Sequence, residues 1–338
     1  MNATDNSYTK YALCREMLET AEVIERFDAH RADATAEAIA KVGRLLLTGE
    51  GSSRIFPAKN TIRKALAWGA PVSVITEGSR QAATYDLSKL AVFAASNSGR
   101  TAEVIAVLKN LEAAGNPHRY GLTANEDTIL AQHAVTTYVL KCGWEHAVAA
   151  TKSVAEQALF YQSVLSRIAG RDMAKDLQGL SAKVRTALSL PIDPKIVNAM
   201  VAAPTIYFAG YNDGVAEELT LKTNEITRKK SDFLEGTYAV HGIEEVMDSR
   251  DVVIVIDPIE AEIQKFKEVL VDGVGLSVVV VSTHDTPLPT IKVPDAREMN
   301  PYVFLALGWN LLVETGLSLG INLDKAERAR KVGNEFTG

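Results

Sequence analysis

Glu218, Lys222 and Glu225 stand at i, i+4 and i+7 in the stretch Ala-Glu-Glu-Leu-Thr-Leu-Lys-Thr-Asn-Glu-Ile-Thr, residues 216–227. Leu219, Leu221 and Ile226 recur there at near-helical spacing, so the three charged side chains are expected on one helical face. A carboxylate flanked by a cation and a second carboxylate has its pKa pulled both ways, which suits a general base. His241 follows sixteen residues after Glu225 in a turn, Val-His-Gly. The same residues also describe an ordinary i,i+4 ion pair on a solvated face and a loop histidine.

A second grouping is Ser96-Asn97-Ser98-Gly99-Arg100-Thr101, which ends an apolar run at residues 90–95 and opens a helix at about Ala102. Three hydroxyls with consecutive backbone N–H groups at a helix N-terminus make a socket for an anion, and phosphate suits it because several donors converge. Simple capping by Ser98 or Thr101 needs only one hydroxyl. Gly51-Ser52-Ser53 is a partner loop after another apolar run, weak by itself because glycine turns after strands are common. Val148-Ala149-Ala150-Thr151-Lys152 precedes a long helix, with Thr151 placed as its N-cap.

Short apolar runs alternate with amphipathic helices around these loops. Runs at 44–48, 71–76, 90–95, 120–123 and 136–140 are expected as strands, with helices at 102–114 and 151–168 between or after them. The order repeats further on, with strands at 205–209, 252–256, 277–282 and 291–293 and helices around Glu218, at 260–271 and at 301–319. Such alternation predicts parallel sheets covered on both faces. Residues 8–42 are expected as two helices with Glu16, Glu19, Glu22 and Glu25 on the polar side. The expected organisation is a helical segment at 1–42 and two α/β subdomains at 43–180 and 181–338. In doubly wound sheets, ligands sit at the carboxyl ends of strands, where the two serine loops fall.

The bulk properties bound the rest. The 338 residues carry a formal net charge of −6, which leaves no basic footprint for nucleic acid. Hydrophobic residues make up 47%, enough for a full core, with no run of membrane-spanning length. Cys14 and Cys142 are too few for a disulfide framework or a metal cluster, and Met-Asn-Ala-Thr-Asp-Asn has no signal-peptide layout. A reduced cytoplasmic protein is expected, with no metal or cofactor. Gly-Glu-Gly-Ser-Ser is not the G-x-G-x-x-G of a dinucleotide site.

Taken together, the loops resemble the sugar isomerase (SIS) domain family. In particular the chain is similar to the tandem-SIS isomerase domain of glutamine–fructose-6-phosphate aminotransferase and its deaminase and deglycase relatives, over roughly residues 42–331. Gly51-Ser52-Ser53 stands where that family has Gly-Thr-Ser, and Ser96-Asn97-Ser98-Gly99-Arg100-Thr101 where it has Ser-Gln-Ser-Gly-Glu-Thr. Val148-Ala149-Ala150-Thr151-Lys152 stands for Val-Ala-Ser-Thr-Lys, and residues 218–225 for Glu-Gly-Ala-Leu-Lys-Leu-Lys-Glu. The interval from Glu225 to His241 and that from Asp324 to Lys331 also match.

The resemblance implies two doubly wound, flavodoxin-like subdomains in tandem and a ketose phosphate as substrate. Gly51, Ser52, Ser53, Ser96, Asn97, Ser98 and Thr101 then hold the phosphate and nearby hydroxyls. Ala149 and Ala150 line the sugar pocket, and Lys331 covers it. Glu225 moves a proton between C1 and C2, with Lys222 and Glu218 orienting the site. His241, from the neighbouring subunit of a homodimer, assists ring opening at an active site on the interface. Arg100 departs from the family's Glu and Ala150 from its Ser, which leaves the substrate open. No glutaminase segment is expected in this chain. The activities implied are aldose–ketose isomerase, amino-sugar-phosphate deaminase or fructosamine-6-phosphate deglycase; the alternative is a non-catalytic phosphosugar-binding regulator.

Overall fold

The computed structural model describes residues 1–330 and 334–337. The chain forms two compact units that are not consecutive segments: one comprises Met1–Ala21, His146–Ala149 and Gly179–Glu327, the other Glu22–Glu145, Ala150–Gln178 and Arg328–Gly338. The N-terminal residues, expected as a segment of their own, are thus divided between the units. The helix Ala12–Glu25 spans that division. The expected two N-terminal helices are three, Asn6–Thr9, Ala12–Glu25 and Asp33–Val42.

In one unit, β1 (Arg44–Gly49), β2 (Ser73–Gly78), β3 (Ala91–Ala95), β4 (Arg119–Thr123) and β5 (Thr136–Val139) form a five-stranded sheet in the order β2-β1-β3-β4-β5. Every pairing is parallel. Period-two alternation explains how β3 is buried on both faces. Ala91, Phe93 and Ala95 join one core with Leu45, Leu47 and Phe160, while Val92 packs with Leu46 and Val107, and Ala94 with Val104 and Leu108. The Phe93 ring lies 5.0 Å from Tyr120 and 5.5 Å, edge-on, from Phe160 of the helix Lys152–Ile168.

In the other unit, β6 (Thr205–Gly210), β7 (Lys230–Glu235), β8 (Val252–Ile256), β9 (Ser277–Ser282) and β10 (Thr290–Lys292) are ordered β10-β9-β8-β6-β7, again all parallel. Counted from its own first strand, this is the same order as in the β1–β5 sheet, the 2-1-3-4-5 arrangement of flavodoxin-like sheets. Two α/β units of like topology follow, as the alternation of runs led one to expect. β7 lies outside the expected strands: Lys-Ser-Asp-Phe-Leu-Glu is an edge strand, whose charged residues leave it without an apolar run. The expected helix over 260–271 is instead a short helix, Ile263–Phe266, continuing into a wide π-type coil, Lys267–Val274.

Two helices fix the positions that matter for chemistry. Asn300–Ser318 is buried nearly all round and packs against Val215–Thr227. Gly308 makes that approach close, because a Cβ there would fall 2.3 Å from a buried Leu219 methyl. Among the described residues no helix is long and apolar enough to cross a membrane.

Candidate active site

The helix Val215–Thr227 carries the Glu218, Lys222 and Glu225 side chains on one face, as their spacing requires. Lys222 Nζ is 2.7 Å from Glu225 Oε2 and 3.4 Å from Glu218 Oε1. This is not a solvated ion pair: the side chains of Lys222 and Glu218 are 0% exposed and that of Glu225 is 25% exposed. Burial by itself lowers the Lys222 ammonium pKa, but the adjacent Glu225 and Glu218 carboxylates more than offset this and hold it above its ordinary value. Lys222 is therefore a fixed cation, and Glu225 is the member of the trio that reaches solvent. A carboxylate so tethered is oriented and still accessible, which a proton-transferring base requires.

His241 follows the short turn Tyr238–Val240 and is exposed. Its ring forms no hydrogen bond or ion pair among the described residues, with the trio included. The basic run Arg228-Lys229-Lys230 after Glu225 is partly engaged. Arg228, at φ 58°, pairs with Glu327 at 2.7 Å and donates to Lys325 O at 2.9 Å. Lys229 is half-buried and donates to Val201 O at 2.9 Å, and burial lowers its pKa.

In the β1–β5 unit, the loop after β3 gathers the hydroxyls of Ser96, Ser98 and Thr101. Ser96 Oγ lies 2.8 Å from Thr101 Oγ1 and 3.4 Å from Ser98 Oγ. None of them caps the following helix Ala102–Ala113 by a side-chain bond, although Thr101 occupies the N-cap position. Gly99 makes the turn possible. Its φ is 65° and an added Cβ would lie 2.3 Å from Thr128 Cβ, so no side chain fits.

The expected row of bare backbone donors is not bare. Arg100 N donates to Ser98 Oγ (3.2 Å), Thr101 N to Ser96 Oγ (3.4 Å) and Ala102 N to Asn334 O (3.1 Å). Backbone N–H groups are rarely left unpaired, and here the loop's own hydroxyls and the C-terminal residues take them. A phosphoryl group at this loop would take over donors already in use.

The C-terminal residues are part of this loop's surroundings. Glu335 pairs antiparallel with Thr101, Phe336 N donates to Arg100 O at 2.9 Å, and Lys109 Nζ sits 4.2 Å over the Phe336 ring. Arg100 Nη1 lies 3.1 Å from Glu335 Oε1. The cation that replaces the expected Glu is thus spent on the chain's own tail. Lys331 lies outside the described residues. Asp324 accepts from Ala12 N at 2.8 Å and Leu13 N at 2.9 Å, anchoring the start of the helix Ala12–Glu25.

Gly51, Ser52 and Ser53 form a single tight turn after β1, with Gly51 exposed at φ 54° and both serines half-buried. Ser53 O accepts from Gln157 Nε2 of the helix Lys152–Ile168. Ala149 is buried and Ala150 half-buried. Thr151 holds the N-cap position of that helix but makes no capping bond with its side chain.

Glu145, which no motif singled out, does that work. Only 3% exposed, it accepts at Oε1 from Thr151 N (2.8 Å), Thr151 Oγ1 (3.2 Å) and Ser153 N (3.4 Å). At Oε2 it accepts from Asn97 Nδ2 (3.0 Å) and from the Ser153 hydroxyl. Glu16, expected on a polar face, is likewise buried and accepts from His146 N and Ala147 N. An isolated Glu between Trp144 and His146 gives no spacing signal: its partners are the backbone N–H groups and hydroxyls of Thr151 and Ser153 and the Asn97 side chain far away in sequence.

Residues 38–167 match the family model of the SIS domain. That match spans the β1–β5 sheet and ends before β6. No curated protein matches this chain. Among solved structures, the C-terminal domain of glucosamine-fructose-6-phosphate aminotransferase from Francisella tularensis is similar, at 16% identity and a TM-score of 0.76 over 96% of this chain and 100% of that one. Tagatose-6-phosphate ketose/aldose isomerase from Escherichia coli is similar at 18% identity and a TM-score of 0.76, over 97% of this chain and 100% of that one. Glucosamine-6-phosphate deaminase from Thermotoga maritima is similar at 18% identity and a TM-score of 0.72, over 97% and 99%. At these identities the likeness is one of fold.

Proposed function

We propose that this protein is an enzyme that processes a phosphorylated ketose or its amine adduct by moving a proton between C1 and C2. The observation that carries the reading is Glu225, a solvent-reaching carboxylate held 2.7 Å from a fully buried ammonium. Lys222 and Glu218 orient it. The hydroxyl-lined loop at Ser96, Ser98 and Thr101, with the Ser52 and Ser53 turn, receives the phosphoryl end of the substrate.

With a ketose 6-phosphate, Glu225 takes a proton from C1, the electron pair forms the enediol, and return of the proton at C2 gives the aldose. With an amine on C1, the same shift leaves an imine at C1, and water then releases the amine and the aldose 6-phosphate. His241 assists ring opening, supplied by the second subunit of a cytoplasmic homodimer; its exposure and its lack of a hydrogen bond or ion pair among the described residues support that role. Amine release is favoured over simple isomerisation by family analogy alone.

The test is incubation with a panel of 6-phosphosugars and fructosamine 6-phosphates, followed for aldose formation and for ammonia or amino-acid release. Turnover of any member supports the reading. Binding without product from every member would instead favour a phosphosugar-sensing regulator.

A further inference from the structure

Asn97 stands among the residues expected to hold the phosphate and nearby hydroxyls, and its side chain is set up for the second of these. Both edges of its amide are determined by chemistry. Nδ2 lies 3.0 Å from Glu145 Oε2, and a carboxylate oxygen in such a contact accepts. Nδ2 also lies 2.9 Å from Ser153 Oγ, whose single proton goes to Glu145. Both neighbours need a donor, so the NH2 edge must face them and the carbonyl edge must face away. That carbonyl, Oδ1, is out of contact with bulk water and has no hydrogen-bond partner among the described residues.

We propose that Glu145 is a positioning residue that locks Asn97 as a hydrogen-bond acceptor, and that Oδ1 receives a hydroxyl or protonated amine of the ligand. A phosphoryl oxygen has lone pairs to offer and is repelled by a carbonyl, so Asn97 Oδ1 is not its partner. A buried unpaired acceptor keeps its desolvation cost until a donor arrives, which makes the position selective for a ligand that supplies one. Glu145 also holds Thr151 and Ser153 at the start of the helix Lys152–Ile168, so one carboxylate ties the loop after β3 to the loop before that helix. This inference rests on the phosphosugar reading given above.

The experiment compares two probes, inorganic phosphate and fructose 6-phosphate, by titration calorimetry on the full chain. Asn97→Ala is expected to weaken fructose 6-phosphate by about 5- to 10-fold, the value of one hydrogen bond, and to leave phosphate within about twofold. Glu145→Gln should show the same selectivity, and the double variant should be no worse than the weaker single, because the two act as one unit. Equal weakening of both probes by Asn97→Ala overturns the proposal, since Asn97 would then be a phosphate ligand. Additive losses, or no loss from Glu145→Gln, overturn the positioning role. If Glu145→Gln fails to fold, Asn97→Ala still decides the acceptor. Wild-type protein that binds neither probe defeats the functional reading instead. The unliganded crystal structure then decides Asn97: an ordered water donating to Oδ1 supports its orientation, and a protein donor there overturns it.

Discussion

Lys222→Met separates a buried, organising cation from an incidental ion pair. The Lys222 side chain is 0% exposed and lies 3.4 Å from Glu218, which is also 0% exposed. Removing one member of such a buried pair costs about 3–5 kcal/mol, mostly because the other charge is left behind. Glu225 loses a partner at 2.7 Å but is 25% exposed, so water replaces much of it. At roughly 2–4 °C per kcal/mol for a domain of this size, the melting temperature should fall by about 6–20 °C. The pH dependence is distinctive. The Lys222 pKa is raised from 10.5, so in the wild type its contribution is complete below pH 10.5 and lost only as pH rises through the higher folded value. In the variant, Glu218 is buried without that ammonium and favours its protonated form. The deficit therefore shrinks as pH falls toward the ordinary glutamate range. Urea unfolding of both proteins at pH 8 and pH 5 measures the gap. Adding Glu218→Gln to Lys222→Met should recover a large part of the loss by removing the buried carboxylate that faced the ammonium. A cost below about 1 kcal/mol, the range of exposed pairs, or a gap that does not change with pH, would refute the reasoning.

Two further outcomes follow from the loop after β3. Gly99→Ala combines a positive φ with a Cβ 2.3 Å from Thr128, and should destabilise the protein by about 2–4 kcal/mol in the same urea assay. Arg100→Ala removes an exposed pair with Glu335 and should change stability by about 0.5 kcal/mol or less, with Phe336 N still donating to the backbone carbonyl of residue 100 in a crystal structure of the variant.

Much of the fold was legible because parallel strands buried on both faces are continuous apolar runs, and β1, β3, β8 and β9 are such runs. β7 was not, because an edge strand of Lys, Ser, Asp, Phe, Leu and Glu has no such signature. The Glu218, Lys222 and Glu225 face was legible from spacing alone. Its burial was not, because it depends on the packing of Asn300–Ser318 far along the chain. The serine loop was visible as a composition, yet its donors proved to be taken by its own hydroxyls and by Asn334. Glu145 and Glu16 carry no local signature, because each is marked only by the groups that fold onto it: the distant His146 N and Ala147 N for Glu16, and the nearby Thr151 N and Ser153 N with the distant Asn97 amide for Glu145.

The central claim is that the Glu225 carboxyl carries the proton. Glu225→Gln keeps the shape and the contact with Lys222 while removing the base. Turnover of the best phosphosugar in the panel should fall by at least about 100-fold, the range typical of general-base loss, with its dissociation constant unchanged within a few-fold. Turnover that survives the substitution intact would contradict the account.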